Sequence, residues 1–162
     1  MPDINNDGLK DASKMKLPAT TLTEGCYAYM FYNCQNLTTV PEDLLPATTR
    51  TKSCYGTMFA GTGITKAPYL PAITTSDDSR RQCYMKMFDS CSNLSTVKCN
   101  AVFEDTTHTT EGPETQTTNG DTFSWLKDVS TSGTFYKNSS CTEDNWTRGM
   151  SGIPEGWTVN NL

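Results

Sequence analysis

The sequence has one histidine, no Cys-x-x-Cys pair among its seven cysteines, and fewer basic residues (13) than acidic ones (18). Each scarcity removes a class of function. A structural zinc site usually gathers four Cys or His ligands in close pairs, and successive cysteines here stand 8, 20, 29, 8, 8 and 42 residues apart. Binding nucleic acid through phosphates calls for a clustered basic face, and "SRRQ" at 79–82 holds the only Arg pair in a chain of pI near 4.8. No apolar run approaches the roughly 18 residues of a membrane span. Neither nucleic acid nor membrane insertion is therefore expected. The opening "MPDINNDGLK" has neither a basic region nor an apolar one, so delivery outside a cell would need a preceding leader or another route.

What the chain does have is an internal repeat. "CYAYMF" at 26–31 returns as "CYGTMF" at 54–59 and "CYMKMF" at 83–88. Cys26, Cys54 and Cys83 form one column; Tyr27, Tyr55 and Tyr84 another; then Met30, Met58 and Met87, and Phe31, Phe59 and Phe88. Leu37, Ile64 and Leu94 follow, then Val40, Ala67 and Val97. "LPATT" occurs at 17–21 and 45–49, with "LPAIT" at 70–74, and the same register places Leu9 under Leu37. From Thr23 to Phe31 the i, i+4 spacing of Cys with Met and of Tyr with Phe predicts a short amphipathic helix. "NLTTVP" predicts a short strand stopped by proline. One helix and one strand cannot bury an apolar face alone, and stacked copies can.

The strings "LPATTLTEGCYAYMFYNCQNLTTVPE" and "SGIPEGWTV" resemble the BspA-like leucine-rich repeats of surface proteins from Bacteroides and related gut anaerobes. The resemblance implies an α/β fold: a short leucine-rich-repeat solenoid of about three and a half coils with a C-terminal cap. The chain would divide into a partial repeat (1–16), repeats (17–103), a polar acidic insertion loop (104–122) and a capping segment (123–162). Trp125, Trp146 and Trp157 all lie in that last segment, as an end cap requires.

The repeated cysteines come with the apolar face and without nearby histidine, so they read as buried hydrophobes rather than ligands. A disulfide between stacked neighbours stays open on distance grounds, and Cys99 with Cys141 would bridge the last repeat to the cap. "DINNDGLKD" at 3–11 has the spacing of a calcium loop on Asp3, Asn5, Asp7 and Asp11. Lys14, however, stands where the twelfth position needs an acid, and Leu9 belongs to the repeat; the stretch reads as a turn. His108 sits among threonines with no nucleophile held against it. No catalysis, cofactor or metal is expected.

The function the resemblance implies is a non-catalytic extracellular or cell-surface binding and adhesion module. Its partner would be a protein or glycan, met by Thr38, Thr39, Thr65, Ser95 and Thr96 on the strand face and by the acidic loop. The alternative is a virion structural or receptor-binding component of a phage infecting Bacteroides-like bacteria, which assembles without export. Open ends of a stacked fold also admit self-association.

Overall fold

A computed structural model of the chain describes residues 8–73, 82–102, 110–111, 115–116, 121–141, 146 and 148–162. Among them there is no α-helix. The strands are β1 (Thr96–Cys99), β2 (Thr110–Glu111), β3 (Thr115–Gln116), β4 (Thr134–Lys137) and β5 (Thr158–Asn161). A three-stranded parallel sheet has the order β1-β4-β5, and β2 pairs antiparallel with β3. The expected α/β leucine-rich-repeat solenoid is thereby corrected, and with it the BspA-like assignment: the helical half of every expected unit is missing.

Turns stand where helices were expected. In 23–34, every second N–H closes a turn onto the carbonyl three residues back: Cys26 onto Thr23, Ala28 onto Gly25, Met30 onto Tyr27, Tyr32 onto Tyr29 and Cys34 onto Phe31. Gly25, Tyr29 and Asn33 have φ of 64°, 61° and 59°, so alternate turns carry the left-handed third residue of a type II turn. The intervening N–H groups leave the segment altogether. Those of Gly25, Tyr27, Tyr29, Phe31 and Asn33 donate to the carbonyls of Lys52, Cys54, Gly56, Met58 and Ala60 at 2.8–3.1 Å. An α-helix would have kept all of them inside.

The same arrangement continues. Tyr55, Thr57, Phe59 and Gly61 donate to Cys83, Met85, Met87 and Asp89; Tyr84, Lys86, Phe88 and Ser90 donate to Asp121, Phe123, Trp125 and Lys127. Left-handed residues recur four apart at Ser53, Thr57 and Gly61, at Gln82, Lys86 and Ser90, and at Ser124 and Asp128. The segment 121–128 is thus a further row of turns, although its letters share nothing with "CYxxMF".

A four-residue backbone period returns side chains to one face every fourth residue, and these faces form the core. Tyr27 stacks on Tyr55 at 6.0 Å and Tyr55 on Tyr84 at 5.8 Å, each within 7° of parallel. Phe31, Phe59 and Phe88 stack at 5.2 and 5.6 Å. Both columns end on Trp125, which lies against Trp146 at 5.6 Å and donates its indole N–H to the carbonyl of Gly152. Such ring pairs contribute about 0.5–1.5 kcal/mol each beyond their burial. In the sheet, the buried Val97 and Phe135 and the half-buried Val159 occupy one register position and point inward together.

Close stacking leaves some positions no room for a side chain. A Cβ on Gly133 would come 2.5 Å from the Ser95 carbonyl oxygen and 2.7 Å from the Trp157 ring, whereas one on Gly56 would meet nothing nearer than 3.4 Å. Gly133→Ala is expected to lower stability by about 1–3 kcal/mol and Gly56→Ala to change it by less, as read by urea denaturation. Far-UV circular dichroism of the unsubstituted chain is expected to lack the double minimum of an α-helix.

Candidate functional site

The outward residues of the strands gather where parallel rows meet. Thr65 and Ser95 are joined by a bond from the Ser95 N–H to the Thr65 carbonyl at 3.0 Å, and Lys66 forms a parallel bridge with Thr96. Thr96, Thr134 and Thr158 then share one register position across β1, β4 and β5. Lys98, Tyr136 and Asn160 make the next outward column, and Lys98 Nζ is held by Glu42 at 2.8 Å. Thr65 is exposed and Ser95 and Thr96 are half-buried. Thr38 and Thr39 are exposed but bind toward the N-terminal segment: the Thr38 N–H donates to the Lys10 carbonyl at 3.0 Å, and Thr39 bridges Asp11. Lys66, Thr134, Tyr136 and Thr158 were missed by sequence reasoning. The signal available for the sheet was a threonine opening "TVKC", "TFYK" and "TVNN" alike.

A second surface lies on the turn segments. Left-handed residues of three rows border a cavity of about 390 Å³. Tyr29 and Tyr32 stand at its edge, 61% and 56% exposed, with rings 5.7 Å apart and nearly perpendicular. Asn33, Thr57, Lys86, Asp89 and Ser90 supply amide, hydroxyl, ammonium and carboxylate groups along it. The Ser90 hydroxyl donates to the Asp89 carboxylate at 2.9 Å, and the Gln35 side chain donates to Asn33 Oδ1 at 3.2 Å. Aromatic edges beside convergent polar groups suit a polyhydroxylated partner, whose ring faces are apolar and whose rims hydrogen-bond.

The cysteines divide by depth. Cys26 is exposed and Cys34 half-buried; Cys54, Cys83, Cys91, Cys99 and Cys141 are buried, and all seven are free. Cys99 and Cys141 therefore form no bridge. Cys26 departs from the internal column expected of it because its row is the outermost of the turns: Met30 beside it is 45% exposed, while Met58 and Met87 are fully buried. Burial raises the Cys54 thiol to about 11 and the Cys99 thiol to about 12, and it pushes Cys83 up as well. Thiols held neutral in this way are poor nucleophiles and poor ligands. Among the described residues no group of three or more His, Cys, Asp or Glu side chains could hold a metal. Asp3, Asn5, Asp7 and His108 lie outside the described residues. The carboxylate of Asp11 accepts the Ser13 N–H at 2.7 Å, the bond of an Asx turn, and that bond lowers its pKa.

One buried charge stands out. The Arg50 guanidinium, 2% exposed, lies 4.7 Å over the Tyr84 ring and donates to the Pro71 carbonyl. It locks the corner before the second row of turns to the third. No described helix is long and apolar enough to cross a membrane.

No family model, no curated protein and no solved structure matches the chain.

Two outcomes follow from the thiols. In the native protein, Cys26 and Cys34 are expected to react with a disulfide reagent, and the other five only on unfolding, with seven thiols titrating in denaturant. Because Cys54 and Cys99 have folded pKa values above an unfolded value near 9, their neutral forms stabilise the fold fully below pH 9. That contribution is lost as pH rises through about 11 and about 12, so denaturant midpoints should fall across this window.

Proposed function

We propose that this chain is a non-catalytic binding or adhesion module acting outside the cell or at its surface, and that its partner is a neutral, hydrogen-bonding one, a glycan in the first place. The observation that carries the reading is the groove beside Tyr29 and Tyr32. Two exposed aromatic rings are costly to leave in water, and both are set by turn geometry beside amide, hydroxyl and carboxylate groups rather than scattered. The threonine column Thr96, Thr134 and Thr158 continues the hydroxyl-rich character of the surface on the sheet side. Loops and turns held on a rigid stack are a common placement for recognition residues.

The test is a glycan-array screen of the full chain followed by calorimetry on the best hit. Tyr32→Ala, and Tyr29→Asn, which keeps a residue tolerant of positive φ, are each expected to weaken binding by about tenfold with the melting temperature little changed. Absence of any glycan hit, or equal affinity in both variants, would sink the glycan reading and leave the threonine face with a protein partner to be sought. Location is checked by surface shaving of the producing cells. Recovery in stoichiometric amount with phage particles instead would replace adhesion by a virion role.

A further inference from the structure

Strand alternation places Lys137 on the inward side of β4. It is two residues beyond the buried Phe135, and its register partners are Cys99, which is buried, and Asn161. A lysine in a core-facing column needs an explanation. Its ammonium donates to the Cys141 carbonyl at 2.6 Å and to Asn161 Oδ1 at 2.8 Å, both neutral acceptors. Arg148 lines the same cavity, and its guanidinium donates to the carbonyls of Pro154 and Trp157 at 3.3 and 3.0 Å, again neutral. Neither cation is in an ion pair with a described residue.

The cavity they share measures about 640 Å³, within the range of small-molecule sites, and Ile153, Val159 and Trp146 form its apolar wall. No carboxylate is among its described lining residues. An inward lysine can also serve only to discourage pairing at the sheet edge. That role does not call for a second cation beside the same cavity.

We propose that this cavity binds a small organic carboxylate, with its charge between Lys137 and Arg148 and its apolar part against Ile153, Val159 and Trp146. Two cations whose described partners are all neutral leave a field that an anion completes through charge-assisted hydrogen bonds. The apolar wall favours an organic anion over inorganic phosphate. The site shares no residue with the tyrosine groove and does not depend on the glycan reading.

The experiment is calorimetric titration of the full chain with phenylacetate, inorganic phosphate and benzylamine, repeated on Lys137→Met, Arg148→Gln and the double variant. Phenylacetate is expected to bind, benzylamine not to bind, and each single substitution to weaken phenylacetate by about tenfold or more. Phosphate binding as tightly as phenylacetate would overturn the assignment to organic anions. Unchanged affinity in both single variants, or no phenylacetate binding to the unsubstituted chain, would overturn the site. Arg148 is exposed, so Arg148→Gln carries the test if Lys137→Met alters folding, which melting curves report.

Discussion

The structure depends on how the turn segments divide their backbone hydrogen bonds. Alternate N–H groups close turns within a segment, and the others cross to the next one. A segment satisfied only by half cannot stand in isolation, since each buried N–H without an acceptor costs about 1–3 kcal/mol. Each row is therefore complete only when the next is in place. This explains why 121–128, so unlike the rows before it in letters, takes the same backbone: the carbonyls of Asp121, Phe123, Trp125 and Lys127 are what the N–H groups of Tyr84, Lys86, Phe88 and Ser90 require.

That arrangement has a conformational cost. A left-handed residue is needed every fourth position, and glycine takes only some of these places. Tyr29, Thr57 and Lys86 adopt φ of 61°, 57° and 52°, at about 1–2 kcal/mol each. Thr57, β-branched and buried, is the most strained of them. The crossing hydrogen bonds and the tyrosine and phenylalanine stacks offset this strain, and Trp125 with Trp146 closes the columns where the repeated letters run out.

How much of this was legible follows from the same geometry. The columns of Cys, Tyr, Met and Phe were readable because identical residues return at one interval, and the ring stacks lie in those columns. The secondary structure was not. Over 23–34, a period of four and one of 3.6 put the same residues on one face, so Cys with Met and Tyr with Phe fit a helix and a turn ribbon equally well. Gly25, Asn33 and Gly61 were hints, but Tyr29, Thr57 and Lys86 hold the same conformation with residues that carry no such signal. The resemblance to leucine-rich repeats amplified the error, because it supplied a helix wherever the apolar spacing allowed one. On the sheet side, Ser95 and Thr96 were placed on the outward surface from "NLST", but Lys66 broke the threonine pattern, and Thr134 and Thr158 lay beyond the last recognisable repeat.

The division of hydrogen bonds also bears on where the proposed recognition would occur. In the first and third rows the left-handed Tyr29 and Lys86 stand exposed beside the half-buried Ala28 and Met85, whereas Gly56 and Thr57 of the middle row are buried. Those are the positions where the three repeats disagree: Ala28 and Tyr29, Gly56 and Thr57, Met85 and Lys86. Residues free of packing duties can vary without disturbing the ladder, while the strained backbone beneath them holds their side chains in fixed directions. In the first row Tyr29 and Tyr32 stay exposed beside the polar groups of the next two rows, and Gly8 and Leu9 border a neighbouring hollow with Tyr32 and Asn33. The groove proposed for binding is thus bordered by the aromatics that this row carries at its outward positions.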